Sequence, residues 1–124
     1  MIETPFSFSP PYVIPDVFCA RIQRTHSGVE HLLNAIYHCL WFPGYFGFNW
    51  DALYDCLRDF NWIKEREIVL VHEGLPTIPD NDLKLYLEVL RDSVVDWKPD
   101  ESHALKVVFP EGDRKIISKI LASD

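Results

Sequence analysis

The sequence is poor in cysteine, has no excess of positive charge and contains no long apolar run. Its three cysteines, Cys19, Cys39 and Cys56, form no Cys-x-x-Cys pair, and each lies in an apolar segment. We therefore expect reduced, buried thiols, as in a cytosolic protein. The formal net charge of −7 argues against nucleic acid as a partner, because phosphate binding needs basic patches. No apolar run approaches the about 18 residues of a membrane span, so no membrane contact is expected.

Motifs for cofactors and metals are also missing. The sequence contains neither of two glycine-rich phosphate-binding patterns, G-x-x-x-x-G-K-[ST] and G-x-G-x-x-G. His31 and His38 are seven residues apart, which is not the spacing of a helical zinc pair. Cys56 has no activating base near it in the sequence. We predict no catalytic residue, no cofactor and no metal.

Length and composition indicate one domain preceded by an arm. The chain has 124 residues, of which 48% are hydrophobic, and this is ample for one packed core. Residues 1–15 are rich in proline and are predicted to form an extended N-terminal arm, followed by a single domain at 16–124. The arm's aromatic residues, Phe6, Phe8 and Tyr12, could pin it to the domain, and a free tail is the alternative. The arm lacks the basic and apolar regions of a secretory signal, which again favours the cytoplasm.

Hydrophobic periodicity predicts strands that alternate with helices. Short β-branched apolar runs are typical of buried strands, and apolar residues three and four apart are typical of helices. Strands are predicted at 17–22, 67–72 and 105–109, and helices at about 28–41, after Asn49, between Asp80 and Lys98, and at 116–121. The predicted helix caps are a capping box at Ser27 and Glu30, then Asn49 and Asp80. This order predicts an α/β fold, a small three-stranded parallel sheet packed with three to four helices.

The most informative segment is residues 42–57, where a loop rich in glycine and aromatic residues leads into the second helix. Asp51 and Asp55 lie one turn apart and opposite the apolar face of that helix, so both are expected to be exposed. Two such carboxylates repel each other, at a cost of roughly 0.2–0.5 kcal/mol. A plain solvated face explains most pairs of this kind. The adjoining loop shifts the interpretation toward a surface that binds a basic protein partner.

That loop is predicted to be rigid and partly exposed. Gly44 and Gly47 are expected to adopt positive φ in tight turns, and Pro43 restricts the backbone. The aromatic residues are Tyr45, Phe46, Phe48 and Trp50. Because four bulky rings are hard to bury together beside two glycines, we expect an exposed Tyr or Trp that anchors an interface.

The acidic residues allow other interpretations. The third helix carries a second carboxylate row, Glu88, Asp92 and Asp96, which a solvated outer face explains adequately. Asp51 and Asp55 could instead bind Mg²⁺ in a metal-dependent phosphohydrolase, although no phosphate-binding glycine motif accompanies them.

The run from Tyr45 to Leu57 resembles the signature of the barstar family, the small acidic inhibitors of barnase-type bacterial ribonucleases. Eight positions match without a gap: Tyr45, Gly47, Asn49, Asp51, Ala52, Leu53, Asp55 and Leu57. The order of predicted elements from Val17 to Phe109 is similar too. The resemblance implies a three-stranded parallel sheet with helices packed on it, which agrees with the periodicity.

By this resemblance, the loop and the second helix would plug a ribonuclease active site built of Lys, Arg and His. Asp55 would take the place of a substrate phosphate, and Asp51 would pair with an Arg at the rim. Tyr45 would pack on the catalytic histidine, while Gly47 and Asn49 would shape the loop.

Further contacts are implied on both acidic helices. Trp50 and Tyr54 would supply apolar contact from the second helix. Asp92 would make an additional salt bridge from the third helix, and Asp96 aligns with a similar position one turn further on.

Several residues depart from the family pattern: Phe48, Tyr54, Arg58, Asp59 and Asp92. They bear on the identity of the partner more than on the way it binds. The resemblance implies a non-enzymatic, cytoplasmic immunity protein or antitoxin, monomeric when free, that binds a basic ribonuclease or related toxin one-to-one. A barstar-like interaction module with a different toxin partner is the alternative.

Overall fold

The computed structural model describes residues 4–8, 16–24 and 28–123. In chain order the elements are β1 (Val17–Ile22), α1 (Val29–Cys39), α2 (Trp50–Leu57), β2 (Glu67–His72), α3 (Asp80–Asp96), β3 (Ala104–Val108) and α4 (Arg114–Ala122), with a 3-10 turn at Glu111–Asp113. The strands form a parallel sheet in the order β1-β2-β3, which confirms the predicted α/β fold. No helix within the described ranges is long and apolar enough to cross a bilayer.

The middle strand, β2, is buried on both faces, as its apolar sequence predicts. Ile68 lies between Phe18 of β1 and Leu105 of β3 and is fully buried in the main core, which the helices cover. Val69 faces the other side of the sheet, in a small cluster with Val108. The main core therefore lies on the helical side of the sheet, and it is this side that supports α2 and α3.

The first and third helices, α1 and α3, begin without a side-chain cap among the described residues. α1 begins at Val29, directly after Gly28, whose φ is +89°, and the capping-box residue Ser27 lies outside the described residues. Asp80 is the first residue of α3 and makes no capping hydrogen bond, so its prediction as a cap is wrong. It lies instead in the first turn, where the helix dipole favours a carboxylate.

The described part of the N-terminal arm lies against the outer edge of β3. The Ser7 N–H donates to the Val107 carbonyl at 2.8 Å, and the Ser7 carbonyl accepts from the Phe109 N–H at 2.9 Å. Phe6 is buried, with its ring centroid 5.3 Å from that of Phe109. Residues 4–8 are thus pinned to the domain, while Tyr12 lies outside the described residues.

The cysteines differ in their environments. Cys56 is buried and Cys39 half-buried, and burial raises the pKa of each thiol to about 11. Cys19 is exposed, so the prediction that all three are buried is wrong for it. Side chains alternate along a strand, and Cys19 points away from the core that its neighbour Ala20 enters.

Candidate functional site

The loop that precedes α2 is held to the core by two aromatic rings and presents a third to solvent. Phe42 and Phe46 are buried, with ring centroids 4.9 Å apart, and the Phe46 N–H donates to the Pro43 carbonyl at 3.0 Å. Tyr45 lies beside this anchor and is 72% exposed. A side chain on a fixed backbone loses little freedom on binding, so Tyr45 is suited to contact a partner.

The strained backbone position in this loop is Phe48, not a glycine. Phe48 has φ +52°, whereas neither Gly44 nor Gly47 has a positive φ, so that prediction is wrong. A Cβ at Gly47 would lie 3.2 Å from Asn49 Nδ2, so a larger residue there would require the Asn49 side chain to shift by a few tenths of an ångström. The turn leaves Phe48 43% exposed, with its ring centroid 4.8 Å from that of Phe46.

Asn49 caps α2, as predicted. Its Oδ1 accepts from the Ala52 N–H at 2.8 Å, and its Nδ2 donates to the Gly47 carbonyl at 3.3 Å. One side chain thus fixes both the end of the loop and the first turn of the helix. Asp51 lies in that first turn, where the helix dipole favours its charge.

α2 has a buried face and an acidic exposed face. Leu53, Cys56 and Leu57 are buried, whereas Asp51 and Asp55 are exposed. Within the described part of the chain, neither carboxylate has a hydrogen-bond or ion-pair partner. These two negative charges are therefore available to a ligand.

Trp50 and Tyr54, the other α2 side chains predicted to touch a partner, pack toward α3. Trp50 is half-buried, with its ring centroid 5.9 Å from that of the buried Tyr86. The Tyr54 hydroxyl donates to the Asp96 carboxylate, and this bond raises the pKa of Tyr54 because ionisation would set two anions in contact. The expected solvated face is therefore wrong for Asp96, which is half-buried and helps to hold α2 on α3.

Asp92 remains exposed, one turn before Asp96 on α3. Its Oδ1 lies 3.0 Å from Arg91 Nε, in an ion pair between adjacent residues. The four predicted binding carboxylates thus fall into two pairs. Asp51 and Asp55 have no intramolecular partner in the described residues, whereas Asp92 and Asp96 each have one.

The part of the chain that contains the sheet, α2 and α3 matches a known family. Residues 17–110 match the family described as barstar (barnase inhibitor). The chain belongs to the barstar family. The matched range runs from β1 to just beyond β3 and includes the loop, α2 and α3, so the resemblance found in the sequence is confirmed. No curated protein and no solved structure gives a significant match.

Sequence reasoning missed a charged cluster at the end of α2 in this barstar-family chain. Arg58 Nη2 lies 3.2 Å from Glu101 Oε2, and Arg58 Cζ lies 4.2 Å from the centroid of the Trp97 ring. The Lys98 N–H and then Arg58 hold the pKa of Glu101 below its usual range. No local pattern connects residues 43 positions apart, so only the fold reveals this cluster.

Asp59 borders the site on the side of the loop. Partial loss of hydration and then the Asp59 carboxylate raise the pKa of Tyr45, which places Asp59 near that hydroxyl. Asp59 therefore belongs to the surroundings of the site.

The described residues also bear on metal binding. Among residues 4–8, 16–24 and 28–123, no group of three or more His, Cys, Asp or Glu side chains is placed to hold a metal ion. Asp51 and Asp55 consequently have no third acidic, histidine or cysteine ligand beside them in this part of the chain.

Proposed function

We propose that this barstar-family chain inhibits a basic ribonuclease by inserting α2 and the preceding loop into its active site. The observation that supports this most directly is the pair Asp51 and Asp55, exposed, one turn apart and without a partner in the described residues. A site that holds RNA phosphate must present cations. Two carboxylates on a rigid helix can replace the phosphates there and pair with Arg or Lys in charged hydrogen bonds.

The surroundings of the pair favour tight binding. The Asn49 cap and the buried side of α2 hold both carboxylates in place before the partner arrives, so little freedom is lost in the complex. Tyr45 projects beside them from an anchored loop. The net charge of −7 would steer the chain toward a basic cleft and raise the association rate.

The remaining predicted residues take supporting roles in this proposal. Trp50 and Tyr54 fix α2 on α3, through the contact of Trp50 with Tyr86 and the hydrogen bond of Tyr54 to Asp96. Asp92 contributes at the rim of the proposed contact. The proposed complex is one-to-one, and the chain acts in the cytoplasm as an immunity protein or antitoxin, without catalysis of its own.

A titration tests the proposal. Barnase cleaving a reporter RNA is titrated with the wild-type chain, with Asp55→Ala and with Asp80→Ala. Asp80 is a matched control, because it is an exposed Asp about 24 Å along α3 from Asp96, at a rise of about 1.5 Å per residue. We expect inhibition that saturates at one equivalent for the wild type and Asp80→Ala and is lost for Asp55→Ala. Equal inhibition by all three would place the binding surface elsewhere, and no inhibition by any would exclude barnase as the target.

A further inference from the structure

We infer that Arg58 is an internal counter-ion that lowers the free negative charge at the C-terminal end of α2, so that Asp51 and Asp55 carry the free charge of this helix. We further infer that it selects a ribonuclease without a cation opposite the C-terminal end of α2. This inference rests on the proposed function, since it concerns the partner of the same surface.

The position of Arg58 carries the first step. Residues three apart are neighbours on a helix surface, so Arg58 borders Asp55 at the end of α2. Its guanidinium pairs with Glu101 at 3.2 Å. It also lies close enough to the Tyr54 hydroxyl to oppose the effect of Asp96 on that group. The cation thus lies near two acidic groups, Glu101 and the Asp96 carboxylate bonded to Tyr54.

Arg58 is also fixed in this position. Its guanidinium stacks on the Trp97 ring, and the Trp97 indole N–H donates to the Leu57 carbonyl at 2.8 Å. Glu101 is held in turn by the Lys98 N–H, at 2.6 Å from Oε1. Only 23% of the Arg58 side chain is exposed, so moving it aside would cost the stack and the ion pair together.

Arg58 lowers the free negative charge at the end of α2 because it is paired there with Glu101. A Lys or Arg of the partner that approaches this end finds the Glu101 carboxylate already paired and a guanidinium beside it, whereas Asp51 and Asp55 have no partner in the described residues. Like charges brought together across an interface oppose binding, so a matching ribonuclease concentrates its cations opposite Asp51 and Asp55.

The internal ion pair is tested on the chain alone. The pKa of the Glu101 carboxyl is measured by NMR in the wild type, in Arg58→Gln and in Lys106→Gln, which removes an exposed cation from β3. We expect the pKa of Glu101 to rise in Arg58→Gln and to stay unchanged in Lys106→Gln. An unchanged pKa in Arg58→Gln would overturn the inference, whether or not the chain inhibits a ribonuclease.

Partner selection is tested with barnase as the probe, because its active site is expected to be basic. Arg58→Gln and Lys106→Gln change the net charge equally, so only the position of the lost cation differs. We expect Arg58→Gln to bind about three- to tenfold more tightly than Lys106→Gln at low salt, through faster association. The advantage should shrink near 1 M salt, where the screening length is about 3 Å.

The outcomes separate this inference from the proposed function. In one outcome the wild type inhibits barnase, Asp55→Ala does not, and the affinity of Arg58→Gln for barnase is equal to or lower than that of Lys106→Gln. The proposed function then stands, and partner selection by Arg58 is wrong. If Arg58→Gln binds while the wild type does not, selection by Arg58 is supported directly. If neither the wild type nor any variant binds barnase, both claims are wrong for this enzyme: Arg58 does not prevent its binding, and barnase is not the target.

Discussion

Two rows of carboxylates with the same helical spacing have different environments in this molecule. On α2, Asp51 and Asp55 are exposed and have no partner in the described residues. On α3, Asp92 pairs with Arg91, and Asp96 accepts a hydrogen bond from Tyr54. Spacing alone therefore identifies a face of a helix but does not tell which of its charges are free.

Under the proposed function, the difference divides the acidic residues between binding and folding. The two carboxylates of the α2 pair repel each other in the free chain, at a cost of roughly 0.2–0.5 kcal/mol, and the cations of the proposed partner would relieve this repulsion. Asp96 acts within the chain, where its bond to Tyr54 joins α2 to α3. Substitutions in the two rows should consequently separate binding from stability.

The largest expected effect is on binding by the α2 row. Asp55→Ala should weaken the complex with a basic ribonuclease by about 2–5 kcal/mol, the usual cost of truncating one partner of a buried charged pair. This general magnitude derives partly from the barnase–barstar complex itself. Asp51→Ala should follow in the same direction. Calorimetric titration gives the affinities, and urea unfolding should show stability changed by less than about 1 kcal/mol in either variant, because relief of the repulsion and loss of the dipole interaction at Asp51 are both small. A loss of stability that matches the loss of affinity would remove the distinction between the rows.

The next effect limits the pH range in which the rows can be compared. His72 is buried; its Nδ1–H donates to the Val108 carbonyl at 3.3 Å, and its Nε2 accepts from the Tyr86 hydroxyl at 2.6 Å. Burial lowers the pKa of His72 from 6.5 to about 3. Between these values the unfolded chain binds a proton that the folded chain does not. The contribution of neutral His72 to the free energy of unfolding should therefore be fully present above pH 6.5. As the pH drops below 6.5, the free energy of unfolding should fall by up to about 1.4 kcal/mol per pH unit.

Urea unfolding between pH 7.5 and 5 measures this slope, before most carboxylates titrate. In His72→Gln the slope over this range should largely disappear, whatever the stability of the variant at pH 7.5. The same steep fall in that variant would assign the pH dependence to other groups.

A smaller effect concerns the bond between the two helices. Asp96→Ala and Tyr54→Phe should each lower the free energy of unfolding by about 1–2 kcal/mol, as expected for a half-buried hydrogen bond to a charged group. The double variant should cost little more than either single one, because both remove the same bond. Ribonuclease affinity should change about threefold or less. Strictly additive losses would mean that the bond does not form in solution.

The smallest effect is expected for Asp92→Ala. An exposed ion pair contributes about 0–1 kcal/mol, so stability should hardly change. Arg91 also competes with any partner cation for this carboxylate, so the loss of affinity should stay well below that of Asp55→Ala. A loss as large as that of Asp55→Ala would show that both rows bind the partner.

Much of the fold follows from local sequence. β2 is identified by its continuous β-branched run because a strand in the middle of a parallel sheet is buried on both faces. α2 begins where Asn49 predicts, because its capping bond involves residues only three apart. The exposure of Asp51 and Asp55 follows from helical spacing relative to the buried Leu53.

The features that the sequence does not predict depend on contacts between distant segments of the chain. Tyr54 and Asp96 are 42 positions apart, and Arg58 and Glu101 are 43 apart, so no period connects them. Conformational freedom favours positive φ at Gly44 and Gly47, and no local signal favours it at Phe48, where it occurs. Packing of Phe48 against neighbouring rings holds this conformation instead.

The most direct test is a map of the surface that barnase covers on this chain. Backbone amide NMR shifts of the isotope-labelled chain are recorded as unlabelled barnase is added at pH 7.5. We expect shifts that saturate at one equivalent and concentrate at Tyr45, Asp51 and Asp55, with α4 unchanged. Saturating shifts centred on α4, or on the outer face of the sheet with α2 unaffected, would contradict it.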